Sequence, residues 1–178
     1  MKVAVISGSA RPKRLSHLVA EEILKRLQQK GIEAWMMDVK QLNLPLLNYT
    51  FSDHPNPDLK MVELRENLNS SNGFIIVSPE YNNNFSGALK NTMDYFYPEY
   101  ARKAFGIVTV SAGKLGGISA AKSLQHYALT LRGIVSPILL LTPLVQKLFE
   151  GGKLTDDNYS QLMDDFLKEY LWLAKAIL

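Results

Sequence analysis

Apolar residues come in short blocks that alternate, along the chain, with stretches where they recur every three or four positions. Val3–Ser7 is a compact apolar and β-branched run, the pattern of a strand buried on both faces. From Ser16 to Lys30 the spacing changes. Leu15, Val19, Ile23 and Leu27 recur every fourth residue, and Glu21–Lys25 and Glu22–Arg26 form i,i+4 pairs. Ser16 is placed to cap this helix and Gly31 to close it. Ile32–Val39 reads as a second strand. A long segment, Lys40–Pro57, follows with three prolines among Asn and Asp, a composition of functional or mobile loops.

The alternation then continues. Asp58–Ser70 is helical in pattern and Gly73–Ser78 is a third strand. Phe85, Leu89, Met93 and Phe96 share one helix face, and Phe105–Ser111 is a fourth strand. Ile118, Ala121, Leu124, Ala128 and Leu131 form a stripe that stops at Gly133, before a fifth strand at Ile134–Leu141. A last helix from about Thr155 is expected to bury Tyr159, Leu162, Phe166, Tyr170, Ala174 and Ile177. Five strand–helix alternations predict an α/β, doubly wound, five-stranded parallel sheet in the order 2-1-3-4-5, with helices on both faces. One domain over residues 1–178 is expected from the length and the absence of a linker. Ligands of such sheets bind outside the carboxyl ends of the strands, near the switch point.

Composition narrows the chemistry. The chain has no cysteine, so a thiol nucleophile, a redox dithiol and a thiolate metal site are excluded, and redox chemistry has to come from a bound cofactor. His17, His54 and His126 share no metal-ligand spacing, and no metal site is expected. A net charge of +3 suits an anionic ligand, but Lys and Arg are scattered, so neither nucleic acid nor membrane is an expected partner. The amino terminus lacks a secretory pattern, and the reading is cytoplasmic. Tyr95, Phe96, Tyr97 and Tyr100 crowd one helix end, which points to an interface and a homo-oligomer.

Three loops should meet at the ligand edge. GSARPKRLS (Gly8–Ser16) joins a strand to a helix amino terminus, where free N–H groups and the helix dipole favour an anion. Ser9 and Ser16 add hydroxyls, and Arg11 and Arg14 add charge and forked donors. It is neither a dinucleotide fingerprint nor a P-loop. SPEYNNNFSG places Tyr81 beside a carboxylate and three asparagines, suited to a flat ligand and its ring edge. SAGKLGG has three glycines, which let backbone approach a ring closely.

Taken in this order and spacing, GSARPKRLS, SPEYNNNFSGALKNTMDY and SAGKLGG resemble the NADPH-dependent FMN reductase family of flavodoxin-like flavoproteins, over roughly residues 1 to 145. The most specific stretch is Pro79-Glu80-Tyr81-Asn82, then Gly87-Ala88-Leu89-Lys90-Asn91 and Asp94. The resemblance implies FMN as cofactor, NADPH or NADH as donor, a small-molecule electron acceptor, ping-pong kinetics and a homodimer or homotetramer. It places Ser9, Arg11, Arg14, Leu15 and Ser16 at the FMN phosphate, with Arg14 and Ser16 as alternatives for one contact. Pro79, Glu80, Tyr81, Asn82 and Asn83 would border the ring and ribityl chain, and Ser111, Ala112, Gly113, Gly116 and Gly117 the pyrimidine side. Lys90, Asn91 and Asp94 would position their helix. Chemistry would be carried by the flavin, with no catalytic side chain.

Overall fold

A computed structural model describes residues 1–178. In chain order the elements are β1 (Lys2–Ser7), α1 (Leu15–Gln29), β2 (Glu33–Asp38), α2 (Val39–Leu42), α3 (Leu59–Ser70), β3 (Gly73–Tyr81), β4 (Asn84–Phe85) and α4 (Gly87–Asp94). They continue with β5 (Ala104–Val110), α5 (Ile118–Thr130), β6 (Ile134–Val135), β7 (Leu140–Thr142), β8 (Phe149–Glu150), β9 (Lys153–Leu154) and α6 (Asp157–Ala176). The parallel sheet runs β2-β1-β3-β5-β6. This is an α/β sheet of the flavodoxin-like kind.

Strand alternation sorts side chains to the two faces. Val3, Val5, Ile75, Val77 and Val108 meet α1 and α6 through Val19, Ile23, Leu27, Phe166 and Tyr170. Ala4, Ile6, Phe74, Ile76 and Ile107 meet α3, α4 and α5 through Leu68, Leu89, Met93 and Leu124. Both faces are dry, which explains why the central strands read as unbroken apolar runs.

The sheet has seven strands, not five. The expected fifth strand, Ile134–Leu141, divides into β6 and β7, both parallel to β5. Pro137 lies between them and has no N–H for the ladder. β4 adds an antiparallel step on β3, and β8 and β9 form a separate hairpin. The long loop after β2 begins as the short helix α2. It is then held down by α4, where Asn91 accepts from Leu47 N at 2.9 Å and donates to Pro45 O at 2.7 Å. Tyr95 Oη also donates to Pro45 O. Asn91 therefore ties this loop to α4. Asp94 accepts from Tyr127 Oη at 2.7 Å and from Lys90, tying α4 to α5.

Two burial expectations are corrected. Leu162 is exposed, and its neighbour Met163 is buried in its place. Tyr95, Phe96 and Tyr100 are core residues, leaving only Tyr97 exposed. Phe74, Phe105 and Tyr100 form one aromatic cluster beneath the sheet end. The core thus accounts for three of the four aromatic residues of the run.

Candidate functional site

β1 ends at Ser7, and Gly8 N donates to Val77 O, so the first loop leaves the carboxyl edge of the sheet alongside β3. The helix that follows starts at Leu15. Its capping position is Arg14, whose side chain makes no capping bond, and Ser16 lies inside the first turn instead of capping it. The other long helices are capped. Asp58, Ser86 and Asp156 accept from N–H groups of α3, α4 and α6. Glu80 reaches from the end of β3 to accept from Ala120 N of α5 at 3.0 Å. Only α1 is left with its first N–H groups unanswered by a side chain.

A cavity of about 300 Å³ opens there, bounded by the three expected loops. It brings together ten of the expected residues: Ser9, Arg11, Arg14, Leu15, Ser16, Pro79, Glu80, Tyr81, Ser111 and Ala112. Pro12, Lys13, Val110 and Val145 complete the wall. The last two carried no signal in the sequence, since Val110 reads as strand interior and Val145 arrives from a 3₁₀ turn after β7. Ser16 is 4% exposed, and its Oγ has no hydrogen-bond partner.

Asn82, Asn83, Gly113, Gly116 and Gly117 do not line the cavity. Asn82 and Asn83 have φ of 50° and 64° and make the two-residue turn between β3 and β4, for which asparagine is among the few suitable residues. Their side chains are exposed. Gly117 has φ of +85°, and a Cβ there would lie 2.9 Å from Thr109 Cβ. It is glycine so that α5 can start against β5. Gly113 is exposed and donates to Ser111 Oγ at 3.0 Å.

The arginines divide their roles. Arg11 is exposed, with its guanidinium carbon 5.5 Å from the Tyr81 ring centre. Tyr81 Oη and Ser9 Oγ share a hydrogen bond at 3.2 Å, joining the first two loops. Arg14 is nearly buried. Its Nη1 donates to Ser9 O at 2.6 Å and to Asp38 Oδ1, and its Nη2 pairs with Asp38 Oδ2. Burial raises the Asp38 pKa, but hydrogen bonds from Arg14 and Lys40 N, with the charges of Arg14 and His17, outweigh it and hold the carboxyl below 3.8. His17 Nδ1 is engaged by Ser7 Oγ at 3.0 Å.

Residues 1–142 match the model of one protein family, NADPH-dependent FMN reductase. The chain belongs to that family. It is an oxidoreductase, with FMN as its flavin and NAD(P)H as electron donor. Among curated relatives of this FMN reductase, an NADPH azoreductase of a Bacillus species is 30% identical over 95% of this chain and 90% of its own. An FMN-dependent NADPH-azoreductase of Staphylococcus aureus is 27% identical over 80% and 77%. Among solved structures, FerB of Paracoccus denitrificans, described as a flavoenzyme NAD(P)H:(acceptor) oxidoreductase, superposes with a TM-score of 0.77. It is 22% identical, and the match covers 98% of this chain and 97% of that one, a likeness of fold.

Proposed function

We propose that this reductase holds FMN in the cavity between the first and third βα loops and transfers electrons from NADPH to a small acceptor. The observation that carries this placement is the unsatisfied end of α1. A first turn without a side-chain cap beside a buried, partnerless Ser16 Oγ fits an anion with several acceptor oxygens. Ser9 and Ser16 would donate to the phosphate, and Arg11, the arginine not spent on a protein carboxylate, would neutralise it. Pro79, Val110 and Val145 offer an apolar wall to a planar ring, with Tyr81, Ser111 and Ala112 at its margins.

FMN bound there would supply the hydride chemistry. The protein's contribution is to fix the cofactor's phosphate and to leave a side open for donor and acceptor in turn. The acceptor class is a quinone, an azo compound, a metal oxyanion or free flavin, and one shared open side makes the kinetics ping-pong. The azoreductase names of the relatives support the azo class first. Anaerobic bleaching of the FMN-loaded protein by NADPH tests the donor half. Parallel double-reciprocal lines against an azo dye are expected, and intersecting lines would establish a ternary complex instead.

The whole chain is further proposed to be one cytoplasmic domain that assembles as a homodimer or homotetramer. No helix is long and apolar enough to cross a membrane. Leu46 and Leu59 are 85% and 81% exposed, single apolar side chains that burial in a subunit contact would cover. Sedimentation velocity at micromolar concentration is expected to show the oligomer, and a monomer would reject it.

A further inference from the structure

Arg14 lines the cavity yet spends three of its five N–H donors on Ser9 O and Asp38. We propose that Arg14 and Asp38 form a positioning pair that shapes the phosphate loop before ligand arrives and does not itself touch the phosphate. The proposal rests on the FMN placement above and concerns how that site is made.

In a planar trans peptide the C=O of one residue and the N–H of the next point in opposite directions, and the chain has no cis peptide. The carbonyl of Ser9 is drawn back by Arg14 Nη1 at 2.6 Å. The carbonyl of Gly8 is drawn back by Ser86 Oγ, the cap of α4. The N–H groups of Ala10 and Ser9, on the far sides of those two planes, are therefore turned away from Arg14 and Ser86. Neither has a hydrogen-bond partner within the protein. Two consecutive N–H groups set free by two protein donors make the kind of concavity that takes an anion.

Arg14 can do this only because Asp38 holds it. The two carboxylate oxygens take both terminal nitrogens of the guanidinium, and the side chains are 9% and 3% exposed. Asp38 is itself fixed at the end of β2, where Oδ1 also accepts from Lys40 N at 3.0 Å and caps α2. The pair thus transmits the position of an outer strand to a loop on its neighbour. Three of the five guanidinium N–H donors are spent on Ser9 O and Asp38, and withdrawing the group toward a ligand would strand the buried Asp38 charge, a large cost.

Calorimetric titration of the full-length apoprotein with FMN, beside thermal unfolding of the same samples, tests the pair. R14M/D38L replaces the ion pair by apolar groups of similar size, a change that buried pairs tolerate in stability. R14K keeps a cation for Asp38 but loses the fork that reaches Ser9 O at the same time. R14K is expected to unfold near the wild-type temperature and R14M/D38L slightly below it, for loss of the α2 cap, and both are expected to bind FMN about tenfold more weakly, the loss expected for a misplaced charge-assisted hydrogen bond. D38A is expected to weaken FMN as well. Wild-type affinity in both R14M/D38L and R14K overturns the proposal, and so does tighter FMN binding by D38A, which would mark Arg14 as a ligand released from its tether. A wild-type protein that binds no FMN removes the placement and the proposal with it, and that result is distinct from failure of the pair alone.

Discussion

Ser16 carries a hydroxyl that is out of water and unpaired, a state native proteins rarely leave without use. S16A removes the unsatisfied group, so the apoprotein is expected to be as stable as wild type or firmer by about 1 kcal/mol, while FMN binds several-fold more weakly. Paired melting and titration curves check both halves, and a stability loss without an affinity loss would contradict them. Lys103 makes a second residue-scale case. Burial lowers its pKa from 10.5 to about 8, partly offset by Glu99, while its Nζ donates to Leu68 O and Asn69 O at the end of α3. Between pH 8 and 10.5 the unfolded chain holds a proton that the folded one has released, so this lysine makes stability rise with pH across that window. Denaturant titrations of wild type and K103M should show the rise in the first and not in the second. Tyr100, Tyr127, Tyr159 and Tyr170 act in the opposite sense above pH 10.0, because burial above all raises their pKa values and the folded state keeps their protons. Their tyrosinate absorbance should appear together with loss of the circular dichroism of the fold.

Elements with a strong local signal were readable. α1, α3, α5 and the central strands sit where periodicity placed them, because a buried face imposes its spacing on the sequence. Boundaries set by long-range bonds were not. Ser16 looks like a cap by residue type, but the capping position lies two residues earlier, at Arg14, which is held by Asp38 from another strand. The asparagine run suits ring recognition by residue type, and Asn82 and Asn83 also satisfy a hairpin of two residues per strand that carries no period to detect. N83G, which suits a positive φ, is therefore expected to match or exceed wild-type stability with FMN affinity unchanged. N82V, with a β-branched side chain in the left-handed region, should cost about 1–2 kcal/mol. A large affinity loss in N83G would restore the ligand role to the asparagine side chain.

Seen whole, the chain depends on a segment beyond the family match. The match ends at residue 142, while α6 buries Tyr159, Met163, Phe166, Leu167, Tyr170 and Ala174 against the sheet. At about 1.5–3 kcal/mol for each large side chain, that burial is on the order of 10 kcal/mol, comparable with the entire stability of a domain. A chain ending at residue 155 should show no cooperative unfolding transition, and a native-like melt from it would refute this accounting. The sequence alone determined the strand–helix alternation, the doubly wound sheet and the three loops at its ligand edge, because burial periodicity and turn composition are local properties. Only the tertiary structure decided that Arg14 belongs to Asp38, that Glu80 caps a distant helix, and that Val110 and Val145 wall the cavity. Those assignments depend on which far-apart residues meet, and spacing along a chain holds no record of that.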